Sequence, residues 1–211
     1  SFEHRKATVP MQKNGAIPGA AAQGFAFYAA ADQFFVNLTL WAPMVEHLDS
    51  GFALSTYVRA AYLASVGGGD LLIGVAATGG ETKCVECAER GANADETEQT
   101  FKTEGTFFDI QWQGELGGAP VEFQVNHFNT PADSYGAHEA SGTGVIFDYS
   151  LNEEWILKAA VSSLDDTDKD YIIEATTVGV LWNIQQNTSL RVEHTSYSGD
   201  GASDDSKTTI Q

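Results

Sequence analysis

The chain has two cysteines, and they lie close enough to act as one chemical unit. Cys84 and Cys87 stand in the segment KCVEC, which has the CxxC spacing. A c-type haem site needs histidine directly after the second cysteine, and that position is Ala88. One CxxC also supplies only two of the four ligands of a structural zinc site. We therefore expect a local disulfide in an oxidising compartment, with a metal site shared with histidine or acidic residues as the alternative.

Acidic runs supply the oxygen donors that divalent cations prefer. The segment DDTDKD contains Asp165, Asp166 and Asp168, and residues 80–104 and 199–206 carry further carboxylates. One interpretation is that these segments bind divalent cations and bridge to the phosphates of lipopolysaccharide, or dock a cationic partner. No EF-hand spacing is present, and we favour the alternative of a solvated acidic rim.

Patterns for covalent catalysis do not occur in the sequence. His127, His138 and His194 do not have the spacing of metal ligands, and there is no GxSxG nucleophile motif. We therefore expect that the protein is not an enzyme and uses no cofactor.

The remaining candidates are polar side chains that alternate with apolar ones. In GTFFDIQWQ, Asp109 and Gln111 alternate with Phe108, Ile110 and Trp112. Around a water-filled interior, such side chains would set ion preference. Bases facing acids across the interior would create a transverse field, whereas pairing across neighbouring strands would cancel it. The predicted pore-lining residues are Arg59, Asp109, Gln111, Glu122, Gln124, Asn126, Asp148, Lys158, Arg191 and Glu193.

Period-two alternation predicts the strands that position these residues. The predicted strands cover 23–32, 34–42, 51–65, 70–79, 104–114, 120–129, 142–151, 154–164, 170–183 and 188–198, and an eleventh begins at Lys207. Short connections alternate with longer ones, the longest of them 80–103. A sandwich with Greek-key crossings has no reason to keep this alternation, whereas an up-and-down barrel in an outer membrane does.

The polar strand faces indicate a wet interior. Charged groups in mid-strand would be costly in a dry core, and a barrel of ten or more strands is too wide for side chains to fill. The apolar faces would then meet lipid. Aromatic residues at both strand ends suggest two interfacial belts. Trp112, Tyr149, Trp155 and Trp182 lie beside short connections, and Trp41, Phe52 and Phe108 lie nearer long ones.

Composition and charge argue against several classes of protein. The formal net charge of -18 disfavours binding to nucleic acid. A content of 43% hydrophobic residues with 21 glycines argues against disorder and against a helical bundle. No apolar run is long enough for a transmembrane helix, and SFEHRKATVP is not a signal peptide.

Two hairpins carry a resemblance to a known family. The segments GVIFDYSLNEEWILKAAVSSL and TVGVLWNIQQNTSLRVEHTSYSGDGASDDSKTTIQ resemble the outer-membrane porins of Gram-negative bacteria. The resemblance implies an all-β, antiparallel up-and-down transmembrane β-barrel and passive diffusion of small hydrophilic solutes or ions. It also implies contact with outer-membrane lipid and lipopolysaccharide, and a homotrimer as the common assembly of such porins.

We expect residues 1–211 to form a single barrel domain that is incomplete at both ends. Residues 1–22 are predicted as a loop and 23–211 as strands. Porins usually close with a terminal aromatic residue, and this chain stops at Gln211. The complete barrel would then have twelve or more strands, with sixteen to eighteen suited to a porin. Two alternatives stay open: a barrel that sheathes a redox protein in a porin–cytochrome conduit, and a soluble secreted β-sandwich adhesin.

Overall fold

The computed structural model describes residues 22–43, 55–84, 99–102, 104–131, 139–166, 171–185, 187–200 and 206–211. In these ranges the chain is all β, and no helix is long and apolar enough to cross a membrane. The strands are β1 (Ala22–Ala30), β2 (Phe34–Pro43), β3 (Ser55–Val66), β4 (Gly69–Gly79), β5 (Glu81–Cys84), β6 (Gln99–Lys102), β7 (Gly105–Leu116), β8 (Ala119–Thr130), β9 (Ala140–Ser150), β10 (Trp155–Asp166), β11 (Tyr171–Gln185), β12 (Thr188–Ser198) and β13 (Ser206–Ile210).

One large antiparallel sheet contains eleven of these strands. Its order is β1-β2-β3-β4-β7-β8-β9-β10-β11-β12-β13, so the chain runs up and down. This order confirms the predicted all-β, up-and-down arrangement. Within the described ranges β1 and β13 are the edges of the sheet and do not pair with each other, so the sheet is not closed into a barrel.

A second, two-stranded sheet lies in the segment that was predicted as the longest loop. β5 and β6 pair antiparallel, from Glu81 with Lys102 to Cys84 with Gln99. Their sequences, ETKC and QTFK, are short and lack a regular apolar alternation. The period-two pattern that predicts the long strands therefore does not detect this hairpin.

Glycine pairs close two of the hairpins because the turns require positive φ. Gly67 and Gly68 join β3 to β4 with φ values of 64° and 81°, and Gly117 and Gly118 join β7 to β8 with the same values. This is the type I′ geometry, which matches the twist of paired strands and favours glycine. With the connections at 31–33, 151–154 and 186–187, these turns confirm the predicted short connections.

The two faces of the large sheet differ sharply in burial. On one face the side chains are apolar and exposed, as at Phe27 (59%) and Val178 (54%), and we call this the apolar face. On the other, the polar face, many side chains are polar or small and buried, as at Asp109 (6%) and Glu193 (5%). Directly paired residues of an antiparallel sheet share a face, so the registers extend this division across the strands. Side chains on the polar face are therefore more crowded than those on the apolar face.

The hairpin of β7 and β8 shows the division that its sequence predicts. Ile110 pairs with Val125, and Trp112 pairs with Phe123, all on the apolar face. The Trp112 indole lies over Gly114, where an added Cβ would meet the ring. The Trp112 ring therefore covers the backbone at Gly114 on the apolar face.

Aromatic residues gather on the apolar face near the short turns, as predicted. Trp155 and Trp182 pair directly and stack, with ring centroids 5.2 Å apart and planes 4° from parallel. Trp112 Nε1 donates a hydrogen bond of 3.0 Å to the Val66 carbonyl oxygen. This bond connects the β7–β8 hairpin to the turn between β3 and β4.

The predicted position of Trp41 in an outer aromatic belt is wrong. Trp41 pairs with Ser55 and has the same parity along β2 as Asn37 and Thr39, which places it on the polar face. Its exposed fraction is 8%. Phe108 does lie on the apolar face, and Phe52 lies outside the described residues.

Candidate pore-lining face

All the residues predicted to line a pore lie on the polar face. Their common placement follows from the period of two along each strand and from the direct pairing of neighbouring strands. That they line a pore stays a prediction. They are Arg59, Asp109, Gln111, Glu122, Gln124, Asn126, Asp148, Lys158, Arg191 and Glu193.

An ion pair links β3 to β7 across the intervening strand β4. Arg59 Nη1 donates to Asp109 Oδ1 at 2.6 Å, and Arg59 Nη2 donates to Asp109 Oδ2 at 3.0 Å. Two parallel hydrogen bonds are the strong geometry for a guanidinium and a carboxylate. The guanidinium carbon also lies 5.9 Å from the centroid of the Phe107 ring, within the range of a cation–π contact.

Gly74 supplies the space for this ion pair. It pairs with Asp109 on β7, and it lies between Arg59 and that carboxylate. A Cβ at this position would lie 2.5 Å from Asp109 Oδ1 and 2.7 Å from Arg59 Nη2. Any larger residue would therefore push the two charged groups apart.

A row of charged residues crosses the polar face closer to the short turns. Direct pairing aligns one residue from each of five consecutive strands, β8 to β12. We call this set the acidic row, and Lys158 Nζ forms a salt bridge with Asp148 Oδ2 within it. The acidic row consists of Glu122, Asp148, Lys158, Gly179 and Glu193.

Two carboxylate oxygens of the acidic row are buried and have no hydrogen-bond partner. They are Asp148 Oδ1 and Glu193 Oε1. The Glu193 side chain lies over Gly179, where a Cβ would be 2.8 Å from Glu193 Cγ. Arg191 Nε is 3.9 Å from Glu193 Oε1, which is an ion-pair distance but too long for a hydrogen bond.

The charges are arranged by local pairing and not as opposed walls. Arg59, Lys158 and Arg191 each form an ion pair with a carboxylate of the same sheet, on the same strand or within two strands. Within the described sheet the bases are thus paired locally. A transverse field across an interior stays a prediction. The amides complete the face: Gln111 Nε2 donates to Glu122 Oε1 at 2.8 Å, and Gln111 pairs with Gln124.

Asn126 and several residues that sequence reasoning missed also occupy the polar face. Asn126 is buried opposite Asp109. Thr177 and Thr195 are buried and share a hydrogen bond of 2.8 Å between β11 and β12. Gly74 and Gly179 were visible in the sequence as glycines inside strands, which is a signal for close approach of another group.

Two of the three aspartates of the acidic run at the end of β10 lie in the described part of the chain. β10 extends to Asp166, further than predicted, and Asp165 and Asp166 pair with Ile172 and Tyr171. Consecutive strand residues face opposite sides, so the Asp165 and Asp166 side chains diverge. A cation site that includes Asp168 stays a prediction. Asp168 lies outside the described residues. Among the described residues, no group of three or more His, Cys, Asp or Glu side chains could hold a metal ion.

The predicted disulfide falls partly outside the described part of the chain. Cys84 is the last residue of β5, and Cys87 lies in the undescribed segment 85–98. The disulfide therefore stays a prediction.

Comparison with known proteins relates the fold to that of a porin. No family model matches the sequence, and no curated protein matches it. Among solved structures, the chain is similar to a porin refined at 1.8 Å resolution, with a TM-score of 0.52 and 13% sequence identity. The similarity covers 89% of this chain, which spans 59% of the length of that porin. At this identity the likeness shows the fold alone, and the chain has a porin-like antiparallel β fold.

Proposed function

We propose that this chain forms the wall of an outer-membrane channel through which small hydrophilic solutes or ions diffuse down their gradients. One observation carries the proposal: the large sheet exposes its apolar face and gathers most of its charged side chains, largely buried, on the opposite face. A sheet of this kind suits a wall with lipid on one side and water on the other.

The energetics of charge burial support a water-filled interior. The described polar face holds carboxylates and bases in mid-strand, as at Asp109, Asp148 and Lys158. Removing an ion from water into a dry interior costs several kcal/mol even after relaxation. Water in the interior avoids most of this cost for the charged groups that reach it.

A soluble β-sandwich does not account for the apolar face. A sandwich buries its apolar faces between two packed sheets. In the described ranges the second sheet consists only of β5 and β6, and Phe27, Val75 and Val178 of the large sheet are exposed. Such a face in water would favour aggregation, whereas lipid would cover it.

The proposal extends to the surroundings of the barrel. The tryptophans near the short turns suit one membrane–water interface, where indole rings are enriched. Outer-membrane lipid and lipopolysaccharide are the proposed neighbours, and a homotrimer is the proposed assembly. Passive diffusion involves no covalent chemistry, so we propose neither an enzymatic activity nor a cofactor.

Planar-bilayer recording tests the proposed function. The full-length protein, folded in detergent, is added to one side of a lipid bilayer under voltage, with detergent alone as the control. We expect stepwise increases in current, each from the insertion of one channel. Repeated trials with folded protein that give no steps would reject the channel. Co-purification of a haem protein would point instead to a sheath around a redox partner.

A further inference from the structure

We infer that the channel prefers cations to anions and that the acidic row is the main determinant of this preference. The inference rests on the proposed function, because ion preference has meaning only if the polar face lines a pore. The pairing of acidic and basic side chains on the polar face supports this preference.

The bases in the middle of the polar face are already paired with carboxylates. Arg59 holds Asp109 through two hydrogen bonds, and Lys158 is bonded to Asp148. Arg191 lies at ion-pair distance from Glu193. A paired base attracts an anion weakly because the neighbouring carboxylate cancels most of its field.

Carboxylates outnumber bases on this face in the strands of the large sheet. Pairing each base with one acid leaves a negative excess. The carboxylates are Asp70, Asp109, Glu115, Glu122, Asp148, Asp166 and Glu193, and the bases are Arg59, Lys158, Arg191 and Lys207.

Part of the negative excess lies in the acidic row. Glu122 and Asp148 are directly opposite on β8 and β9, and like charges in that position destabilise a sheet. Lys158 bonds to Asp148 from the other side, and the Glu122 carboxylate is held by the neutral amide of Gln111. This part of the row therefore carries two carboxylates and one ammonium.

The burial of the Glu193 carboxylate is a separate observation that does not depend on the count of charges. The Glu193 side chain is more than nine-tenths buried, and its Oε1 has no hydrogen-bond partner. It lies over Gly179, on the Lys158 side of β12, in line with the other carboxylates of the acidic row. A buried carboxylate oxygen without a hydrogen-bond donor keeps its negative charge poorly compensated, so Glu193 Oε1 and Asp148 Oδ1 add to the field with which the acidic row attracts a permeating cation.

The test is the reversal potential in a KCl gradient. K⁺ and Cl⁻ have nearly the same mobility in water, so a channel without preference gives a potential close to zero. We expect the full-length channel to give the sign produced by K⁺ moving down its gradient. Because salt screens surface charge, the preference should be larger at low ionic strength.

Three variants assign the preference to the acidic row. Glu122→Gln and Glu193→Gln should each lower the K⁺ to Cl⁻ permeability ratio about two- to threefold at low salt, since one charge acts on an ion several ångströms away. Lys158→Gln should raise the ratio, a change of opposite sign that distorted folding would not produce. Glu174→Gln is the matched control, because Glu174 is an exposed carboxylate on the apolar face that bonds to Ser198.

The outcomes separate this inference from the proposed function. A K⁺ preference that falls in the two glutamate variants and persists in the control supports it. Channels with no preference, or with a Cl⁻ preference, overturn it while the channel function stands. A K⁺ preference unchanged in all three variants rejects the assignment to the acidic row. Failure of the folded protein to form channels rejects the function itself, and with it the inference.

Discussion

Two glycines determine where charged groups gather on the polar face. Gly74 leaves the space in which Arg59 and Asp109 meet across β4, and Gly179 leaves the space that the Glu193 side chain occupies. A glycine inside a strand ordinarily weakens it, because no side chain packs there. Here the missing side chains let charged groups reach across neighbouring strands.

Replacing Gly74 tests this role. Gly74→Ala should lower the free energy of unfolding by about 1–3 kcal/mol, because the added Cβ breaks the hydrogen bonds of a largely buried ion pair. The measurement is urea-induced unfolding of the protein folded into lipid vesicles. Gly79→Ala is the control, since it lies in the same strand and a Cβ there meets nothing within 4 Å. Equal stability of the two variants would contradict the account.

At the scale of strands and hairpins, side-chain hydrogen bonds stabilise the connections in addition to the backbone hydrogen bonds between paired strands. The Trp112 indole reaches from β7 to the turn between β3 and β4, forty-six residues earlier in the chain. Asn152 acts within its own connection, where its Oδ1 accepts hydrogen bonds of 2.9 Å from the backbone N–H groups of Glu154 and Trp155. The first contact holds two hairpins together, and the second shapes one turn.

A substitution at Trp112 tests the contact between hairpins. Trp112→Phe keeps an aromatic ring and removes the Nε1–H donor, so we expect a loss of about 1 kcal/mol. Amide hydrogen exchange should become faster in the turn at 66–69. The connection between β9 and β10 is the internal control, because Asn152 holds it independently of Trp112. Equal acceleration at both turns would mean that the variant loosens the sheet as a whole.

Strands and turns were predictable because their signals are local. The alternation of Phe108, Ile110 and Trp112 with polar residues and the glycine pairs at the turns are readable within a few residues. The ion pair of Arg59 with Asp109 was not predictable from the sequence. It depends on Gly74 of an intervening strand and on a register between residues fifty positions apart. The β5–β6 hairpin was missed because four-residue strands without an apolar face give no period.

At the scale of the whole molecule, the division between the two faces is the property that connects fold with function. The chain is strongly acidic, yet the described apolar face is mainly aliphatic and aromatic. In the proposed membrane setting, lipid covers this surface, and the wet interior holds the charge. The sequence predicted the division, whereas the local pairing of the charges required the structure.

Two neighbouring positions on β8 test the orientation of the sheet. Val125 lies on the apolar face and Gln124 on the polar face. Val125→Lys should reduce folding into lipid vesicles by about 2–4 kcal/mol, the cost of a charge near the bilayer midplane. Gln124→Lys should have a much smaller effect. The measurement is the fraction of protein with heat-modifiable mobility on a gel, and the reverse order of the two effects would show that the apolar face packs on a protein core.

The stacked indoles of Trp155 and Trp182 give the molecule an optical reporter of its own. Two nearly parallel rings 5.2 Å apart couple their electronic transitions, which adds an exciton signal to the circular dichroism spectrum. The two rings belong to directly paired residues of β10 and β11, so the signal is lost when those strands separate. Pairing of this hairpin during folding can therefore be timed spectroscopically, without an attached dye.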